Sequence, residues 1–335
     1  MSEAMLSVVV IGRNEGDRLA VCLESIRTAR QMPEPVEIIY VDSLSTDGSP
    51  ERAAACGAKV IELDPGKLSA ARARNAGWRI ATAPFILFLD GDTILDTDFV
   101  NRAWQEFADA SVAVVCGDRR EIRPEASVYN RVLDLDWNAP AGDTDFCGGD
   151  SVMRRDVLER ANGFNPDLIA GEEPDLCRRM RAMGYRILHI DAPMTGHDLA
   201  LRHFHQYWRR AVRTGHAYAE ISARYRDTPD PLWTRESRAN LLRGWLYLLT
   251  GIALCVAAIL LRSWVPVIAL ALGAAALSIR TAILARAKSA SWTTLLLFGF
   301  HSHVQQLPIL QGQLLHAWAR RRGQGRVLIE YKTKS

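Results

Sequence analysis

Residues 85–92 read Phe-Ile-Leu-Phe-Leu-Asp-Gly-Asp, and this stretch decides the fold of the first half of the chain. Five apolar residues in succession predict a strand that is buried on both faces, because a half-exposed strand would alternate apolar and polar residues. A strand of this kind lies inside an α/β sheet with helices on both faces. The stretch therefore places two carboxylates, Asp90 and Asp92, at the carboxyl end of a buried strand.

The segments around this strand repeat an alternation of strand and helix. Apolar, β-branched runs predict strands over 6–11, 36–42 and 59–63, and helices are predicted near 18–29, 49–56 and 69–81. Strands joined by helices pair in parallel, so we predict an α/β domain with a mostly parallel sheet. In such sheets ligands bind at the carboxyl ends of the strands.

Polar segments follow three of these strands at that edge. They are GRNE at 12–15, DSLSTDGS at 42–49 and DGD at 90–92. Turn formation alone explains any one of them, because turns are rich in Asp, Gly and Ser, but three in succession favour a site. Two carboxylates separated by one glycine offer the hard oxygen ligands that Mg²⁺ or Mn²⁺ binds. The sequence carries neither a G-x-G-x-x-G after the first strand nor a P-loop motif, which excludes those two kinds of nucleotide site.

A second group of motifs lies downstream, in CGGDS at 147–151, GF at 163–164 and GEEPDLCRRMRAMGYRI at 171–187. The spacing of the apolar residues in the last of these predicts an amphipathic helix that begins just after Glu172 and Glu173. Acidic residues are also favoured in a first helical turn by the helix dipole, so this pair has a purely structural explanation as well. His197 follows a strand predicted over 186–190, and a single histidine is more often structural than a ligand.

Taken in order, these segments resemble family 2 glycosyltransferases, which have the GT-A fold, over about residues 5–225. The resemblance rests on VVVIGRNE (8–15), VDSLSTDGS (41–49), ARARNAG (71–77), ILFLDGD (86–92), CGGDSVMRR (147–155), GFNPD (163–167) and the 171–187 segment. It implies a Rossmann-like α/β domain that transfers a sugar, with inversion, from a nucleotide-sugar donor to a hydroxyl group. A UDP-sugar is the expected donor.

The resemblance also implies roles for residues that handle the donor and a metal. Asp42 would recognise the base, Arg74 and Asn75 would contact the nucleotide and its diphosphate, and Asp90 would lie near the ribose and sugar. Asp92 would bind Mg²⁺ or Mn²⁺, with His197 as an additional ligand. The remaining predicted donor contacts, both in the first polar segment, are Arg13 and Glu15.

The same resemblance points to the residues that handle the acceptor. Glu173, the second acid of the Glu172–Glu173 pair, would be the catalytic base, although the family usually has Asp there. The predicted acceptor contacts are Gly148, Gly149 and Asp150, the last of which replaces a common Asn. Two alternatives remain open: a polyprenyl-phosphate sugar synthase with the same fold, and a catalytically silent scaffold or sugar-binding protein.

The C-terminal third is apolar and predicts membrane attachment. We divide the chain into a catalytic domain (1–200), an amphipathic interface helix and linker (201–240), a membrane segment (241–318) and a basic cytosolic tail (319–335). Transmembrane helices are predicted at about 244–261 and 263–284, because an uncharged run of that length spans most of the roughly 30 Å hydrocarbon core. A soluble domain with two buried helices is the alternative. The polar residues within 292–315 favour an in-plane or re-entrant helix there.

Composition sets the remaining expectations. The net charge of +3 on 335 residues is too small to indicate a nucleic-acid partner. The six cysteines form no C-x-x-C pair, and the short apolar run at 6–11 does not resemble a signal peptide, so we expect reduced thiols and a cytosolic catalytic domain. We therefore expect location at the inner membrane, with membrane lipid and a lipid-linked or glycan acceptor as partners. Association into a homo-oligomer or a biosynthetic complex is left open.

Overall fold

The computed structural model describes residues 4–66, 68–137 and 140–322, which form two compact units. The first unit contains the residues up to 122 together with 137–199, and the second contains 123–136 and the helices that follow residue 199. The sequence-based division did not anticipate that 123–136 group with the C-terminal helices. The predicted basic tail (319–335) is described only as far as Arg322, at the end of the last helix, and the rest of it lies outside the described residues.

The first unit is built on a mixed sheet. Its described strands are β1 (Leu6–Gly12), β2 (Val36–Asp42), β3 (Lys59–Glu62), β4 (Phe85–Asp90), β5 (Thr93–Leu95), β6 (Val112–Glu121), β7 (Gly142–Asp143), β8 (Ser151–Arg154) and β9 (Arg186–His197). They lie in the order β3-β2-β1-β4-β8-β6-β9-β5, and β7 pairs with β9. Neighbours from β3 to β4 are parallel, as predicted, whereas β8 runs antiparallel to both β4 and β6.

The helices divide between the two units. Those of the first are α1 (Asp17–Thr28), α2 (Ser49–Ala55), α3 (Ala70–Ile80), α4 (Phe99–Glu106), α6 (Arg155–Arg160) and α7 (Glu172–Ala182). Those of the second are α5 (Val128–Asp134), α8 (Phe204–Tyr225), α9 (Thr234–Leu260), α10 (Val265–Leu284), α11 (Trp292–Val304) and α12 (Gln306–Arg321). Each early strand and helix predicted from the sequence is present, with ends shifted by a residue or two.

The core of the first unit lies on both faces of the central strands. Val8, Val9 and Phe88 are fully buried, as the continuous apolar pattern of β1 and β4 predicts. Helix α3 crosses β1 so closely that a Cβ atom at Gly77 would overlap the Val9 side chain. Burial of these aliphatic and aromatic side chains, at about 25 cal/mol per Å² of apolar surface, holds the sheet and its helices together.

Strand register brings the three polar segments to one edge of the sheet. Gly12 of β1 lies opposite Asp42 of β2, and Ile11 lies opposite Asp90 of β4. The loops that begin at these residues therefore leave the sheet side by side, which is the arrangement that the sequence predicts for a ligand site.

Strand β9 extends beyond its predicted end. The sequence places its end at residue 190, because Asp191, Pro193 and Gly196 are typical of turns. The structure continues the strand to His197, with register shifts against β6 that accommodate the proline. His197 is therefore the last residue of a strand rather than part of the loop after it.

In the second unit, α9 and α10 are long and apolar enough to cross a membrane, judged by length and composition alone. Only 6 % and 11 % of their most apolar windows are buried, so their apolar side chains are largely exposed. Buried core helices of a soluble domain would show the opposite pattern. Helix α9 begins at Thr234, earlier than the predicted start at residue 244.

Polar residues that lie within the apolar run 292–315 have partners within this unit. The run forms two helices, α11 and α12, that meet at Gln305, instead of the single helix predicted from the sequence. The His303 ring lies 2.8 Å from the Tyr247 hydroxyl of α9 and 3.1 Å from the Thr281 hydroxyl of α10. The Tyr207 hydroxyl of α8 lies 2.7 Å from His301 Nδ1. These contacts offset the cost of placing polar groups in an apolar helix pair.

Candidate active site

The DGD turn and the end of β9 form a cluster of three potential metal ligands. Asp90, Asp92 and His197 each offer one ligand atom, and these atoms lie within 4.8 Å of one another. His197 Nε2 is 3.5 Å from Asp92 Oδ1. The cluster depends on the antiparallel pairing of β5 with β9, which sets Thr93 opposite His197. Asp92 and His197, which are more than a hundred positions apart in the chain, thus meet through a short antiparallel strand pairing.

This donor set fits a divalent cation. Carboxylate oxygens suit Mg²⁺ and Mn²⁺, and an imidazole ligand is accepted more readily by a transition ion such as Mn²⁺. The guanidinium groups of Arg74 and Arg119 oppose the effect of burial and hold the pKa of Asp90 below its usual range. Asp90 therefore stays ionised, as a metal ligand must be.

Arg74 of α3 connects this cluster to the Glu172–Glu173 pair. Its guanidinium lies 2.9 Å from Asp90, 3.0 Å from Glu172 and 3.2 Å from Glu173. Only 3 % of the Arg74 side chain is exposed. One cation held among three carboxylates offsets much of their mutual repulsion, so Arg74 fixes the two acidic segments beside each other.

The two glutamates differ in exposure. They open α7 directly after Gly171, which adopts a left-handed conformation with φ 84°. The Glu173 side chain is 16 % exposed and that of Glu172 only 5 %. Burial and the charge of Glu172 raise the pKa of Glu173 to about 7, against the opposing charge of Arg74. Glu173 is therefore the acid that can both reach solvent and exchange a proton near neutral pH.

Asp150 lies beneath the DGD turn. It is fully buried, and its Oδ1 accepts a 3.0 Å hydrogen bond from the backbone N–H of Asp90. Its Oδ2 accepts a hydrogen bond from the Thr195 hydroxyl and pairs with Arg119, both at 2.7 Å. Burial raises the pKa of Asp150, and Arg119 opposes that rise. In this position Asp150 supports the DGD turn, and its acceptor contact stays a prediction.

The two glycines before Asp150 lie against the arginines of the site. A Cβ atom at Gly149 would come within 2.6 Å of Arg74 Nη2 and 3.0 Å of Asp90 Oδ2. A Cβ atom at Gly148 would lie 3.7 Å from Arg119 Nη2. The absence of a side chain at Gly149 is therefore what allows the Arg74–Asp90 pair to form. Acceptor contact by these two glycines stays a prediction.

Asp42, predicted to recognise the base, contacts residues of its own strand and of the loop that follows it. It is fully buried, and its two oxygens accept hydrogen bonds from the Tyr40 hydroxyl at 2.9 Å and the Ser45 N–H at 2.6 Å. In this conformation Asp42 orders the loop after β2, and direct recognition of a base by its carboxylate would require that loop to open. In the neighbouring loop, Arg13 is half-buried, and the buried Glu15 pairs with Arg18 at 2.8 Å.

Asn75, predicted to contact the nucleotide, makes hydrogen bonds within the first unit. Its side-chain N–H donates to the Phe164 carbonyl at 2.7 Å, and its Oδ1 accepts from the Phe164 N–H at 3.0 Å and from Trp78 Nε1 at 2.8 Å. Asn75 is only 2 % exposed. It therefore fastens α3 to the GF loop that leads into α7.

We expect Asn75→Ala to lower the melting temperature of the ligand-free protein. Loss of three buried hydrogen bonds, which leaves their partners unsatisfied, should cost about 2–4 kcal/mol. Differential scanning fluorimetry measures this change, with Gln105→Ala, an exposed amide on α4, as the matched control. An unchanged melting temperature together with weaker nucleotide binding would restore the nucleotide role that the resemblance implies.

Sequence reasoning did not find Arg119, which follows the apolar part of β6 and pairs with Asp150. The run Gly-Asp-Arg-Arg-Glu at 117–121 reads as a turn, so β6 itself was not predicted. The only signal for Arg119 was that it follows the apolar residues 112–116. A run of this kind predicted buried strands elsewhere in the chain.

Comparison with known proteins shows what the first unit resembles. Residues 7–161 match the sequence profile of Glycosyl transferase family 2. The pre-mycofactocin glycosyltransferase of Mycobacterium tuberculosis is 25 % identical over 265 residues, which cover 74 % of this chain and 53 % of that protein. The amylovoran biosynthesis glycosyltransferase AmsB of Erwinia amylovora is 25 % identical over 240 residues, which cover 64 % of this chain and 76 % of AmsB. The chain thus spans about half the length of the mycobacterial relative.

Among solved structures, the mannosyltransferase PcManGT of Pyrobaculum calidifontis, in complex with GDP-Man and Mn²⁺, superposes with a TM-score of 0.66. The match covers 96 % of this chain and 89 % of PcManGT at 20 % identity, and it confirms the predicted α/β fold of the GT-A type. The profile match runs from β1 to α6 and so includes the DGD turn and the CGGDS segment. Over residues 7–161, the chain is thus similar to glycosyl transferase family 2.

Proposed function

We propose that this protein is a metal-dependent, inverting glycosyltransferase that moves a sugar from a nucleotide-sugar donor to a hydroxyl group during glycan or polysaccharide biosynthesis. One observation carries the proposal: Arg74 joins a carboxylate–imidazole cluster suited to a divalent cation to a glutamate with a pKa of about 7. A transferase needs both parts, because the leaving diphosphate must be neutralised while the acceptor hydroxyl loses its proton.

Glu173 is the proposed catalytic base. Its carboxylate takes the proton of the acceptor hydroxyl as that oxygen attacks the anomeric carbon, and general-base help of this kind is worth about 10²–10⁴-fold in rate. Arg74 pairs with both Glu172 and Glu173 and so keeps Glu173 in place at the start of α7. The attack and the departure of the nucleoside diphosphate occur in one displacement, so the configuration at the anomeric carbon is inverted.

Asp90, Asp92 and His197 are the residues that would hold a Mg²⁺ or Mn²⁺ ion. Such an ion supplies positive charge to the diphosphate leaving group. The protein's own contribution is to keep Asp90 ionised and in place beside Asp92, which Arg74, Arg119 and the Asp150 contact to the Asp90 backbone achieve. The structurally similar PcManGT, which was solved in complex with GDP-Man and Mn²⁺, supports this requirement.

A panel of nucleotides tests this function. UDP, GDP and their sugar conjugates are added to the detergent-solubilised full chain, with and without Mn²⁺ or Mg²⁺, and the melting temperature is measured. A ligand at 100 times its Kd stabilises the folded state by about 2.7 kcal/mol, which is a shift of several degrees. We expect stabilisation by one nucleotide, with a UDP-sugar as the leading donor, and only when metal is present. The absence of any shift contradicts the enzyme assignment.

The two alternatives predict different results in that panel and in turnover. A polyprenyl-phosphate sugar synthase would bind the donor equally well but would accept a phosphate, which needs no base, and Glu173 argues against it. A silent scaffold would show no release of nucleoside diphosphate. Retention of Arg74 with all three of its carboxylate partners favours an active enzyme over a scaffold.

The rate of sugar transfer is expected to fall as the pH drops below about 7. Glu173 must be ionised to accept a proton, and its raised pKa means that protonation, and loss of activity, begins near neutrality rather than near its ordinary value. A profile of kcat between pH 5.5 and 9 measures this loss of activity on the acid side. A profile that stays flat down to pH 5.5 would contradict the assignment of the base.

We further propose that α9 and α10 anchor the chain in the inner membrane, with the catalytic unit on the cytosolic side and a lipid-linked sugar or membrane-bound glycan as acceptor. The exposed apolar windows of both helices support this location. An anchored enzyme meets a membrane-held acceptor at high effective concentration.

We expect the full chain to sediment with membranes and to stay there after washing with alkaline carbonate or high salt, because only detergent competes for exposed apolar helices. Immunoblotting of the fractions measures this. A peripheral protein held by its basic residues would be released by salt instead, and that result would contradict a membrane-spanning anchor.

A further inference from the structure

Two arginines lie in the site, and they differ in how their charge is used. The Arg74 side chain is 3 % exposed and is held by Asp90, Glu172 and Glu173. The Arg119 side chain is 16 % exposed and pairs with Asp150, which is fully buried. Arg119 therefore combines a positive charge with accessible surface, whereas the charge of Arg74 is enclosed by carboxylates.

The surroundings of Arg119 place it beside the proposed cation cluster. Its guanidinium lies 5.8 Å from the centre of the Trp137 ring, and the His197 ring lies 5.2 Å from the same ring. It also faces the backbone of Gly148, where a Cβ atom would be 3.7 Å away. Although burial opposes the effect, the charges of Asp150, Asp90 and Asp92 raise the pKa of Arg119. Arg119 is thus a permanent cation within reach of the same space as the metal ligands.

The chemistry of this group fits phosphate. A guanidinium presents several N–H donors in a plane, which matches two oxygens of a phosphate group, and such charge-assisted hydrogen bonds are among the stronger ones in proteins. Asp150 and the Trp137 ring fix the plane of the guanidinium, so little side-chain freedom is left to lose when an anion arrives.

We propose that Arg119 contacts a phosphate oxygen of the donor's diphosphate and that Asp150 is the residue that positions it. The inference rests on the proposed function and adds an anion contact on β6 to the metal ligands of β4 and β9. Because Arg119 repels a bound cation and attracts an anion, its removal should raise the affinity for Mn²⁺ and lower the affinity for diphosphate.

Arg119→Met tests this directly, with Mn²⁺ alone and inorganic diphosphate plus Mn²⁺ as the probes. Affinity for diphosphate should fall about 10- to 100-fold, the size expected for a hydrogen bond to a charged group. Affinity for Mn²⁺ alone, measured by electron paramagnetic resonance, should rise about two- to fivefold. Arg119→Lys keeps the charge without the planar donors, so its diphosphate affinity should lie between that of the wild type and that of Arg119→Met.

Arg120→Met is the matched control, because Arg120 is the next residue of β6 and is exposed. Its diphosphate affinity should equal that of the wild type. Arg119→Met leaves Asp150 buried without its counter-charge and will lower the melting temperature. The pair variant Arg119→Met/Asp150→Asn removes both charges, and the same loss of diphosphate affinity is expected from it.

Wild-type affinity for diphosphate in both Arg119→Met and the pair variant overturns the inference, as does a wild type that binds no diphosphate. A fall in Mn²⁺ affinity alongside diphosphate affinity points to distortion of the whole site and also overturns it. A different result bears on the proposed function: a wild type that binds diphosphate through Arg119, but no nucleotide more tightly than diphosphate, contradicts a nucleotide-sugar donor and leaves the phosphate contact intact.

Discussion

Glu173→Gln is expected to lower the rate of sugar transfer by about 10²–10⁴-fold, the range that a general base contributes. The amide has the same shape as the carboxylate but cannot accept the proton of the acceptor hydroxyl. Donor binding should persist, because the metal ligands and Arg74 are untouched and Arg74 keeps Asp90 and Glu172 as partners. The measurement is steady-state release of nucleoside diphosphate together with donor affinity from thermal shift.

The design of this experiment depends on the difference between the two glutamates. Glu159→Gln, an exposed carboxylate on α6, is the matched control and should leave the rate unchanged. If Glu173→Gln turns over at a near wild-type rate while Glu172→Gln does not, the base is Glu172 and the exposure of the two side chains has been misread. The pH limb near 7 should disappear in Glu173→Gln, since the group that produces it is gone.

Asp92→Asn is expected to weaken Mn²⁺ binding by more than about 100-fold, which exceeds the 10- to 100-fold typical of removing an outer-shell partner. The amide carries no charge, and only one carboxylate, Asp90, would remain beside His197. Metal-dependent stabilisation by the donor nucleotide should be lost with it. Electron paramagnetic resonance of free Mn²⁺ measures the first effect, and the nucleotide panel measures the second.

Asp64→Asn provides the control for this change, because Asp64 is an exposed carboxylate in the loop after β3. The melting temperature of metal-free Asp92→Asn should not fall below that of the wild type, since Asp92 is 3 % exposed and its neutralisation relieves buried negative charge. Unchanged Mn²⁺ affinity in a folded variant would remove the metal assignment for the DGD turn.

The N-terminal half of the fold could be predicted from sequence because its signals are local. Strands β1, β2 and β4 each contain a continuous apolar run, at 8–11, 38–41 and 85–89, and their alternation with helices predicts a parallel order. Strand β6 was missed because its second half is polar, and the end of β9 was misplaced because Pro193 and Gly196 mimic a turn. Both features depend on pairing between distant strands, which no local pattern reports.

The candidate site shows the same division. The two acids of the DGD turn and the Glu172–Glu173 pair could be singled out from the sequence because they lie at a predicted strand end and a predicted helix start, and the structure brings them together around Arg74. The directions of Asp42 and Asn75 could not be predicted, since an Asp or Asn offers the same oxygen to a ligand or to the backbone of a neighbouring loop. Here both side chains make contacts within the protein.

The ladder between β5 and β9 has a consequence for the order in which ligands arrive. His197 is held at the end of a strand opposite Thr93, and the Asp198 N–H donates to the Asp92 carbonyl at 3.1 Å. Backbone hydrogen bonds, and not a flexible loop, therefore hold the ligand atoms in place. A cation that exchanged hydration water for these ligands would cost the chain little conformational entropy. A divalent cation could therefore bind there before the donor, and it would reduce the negative charge of Asp90 and Asp92 that the donor's diphosphate would otherwise meet.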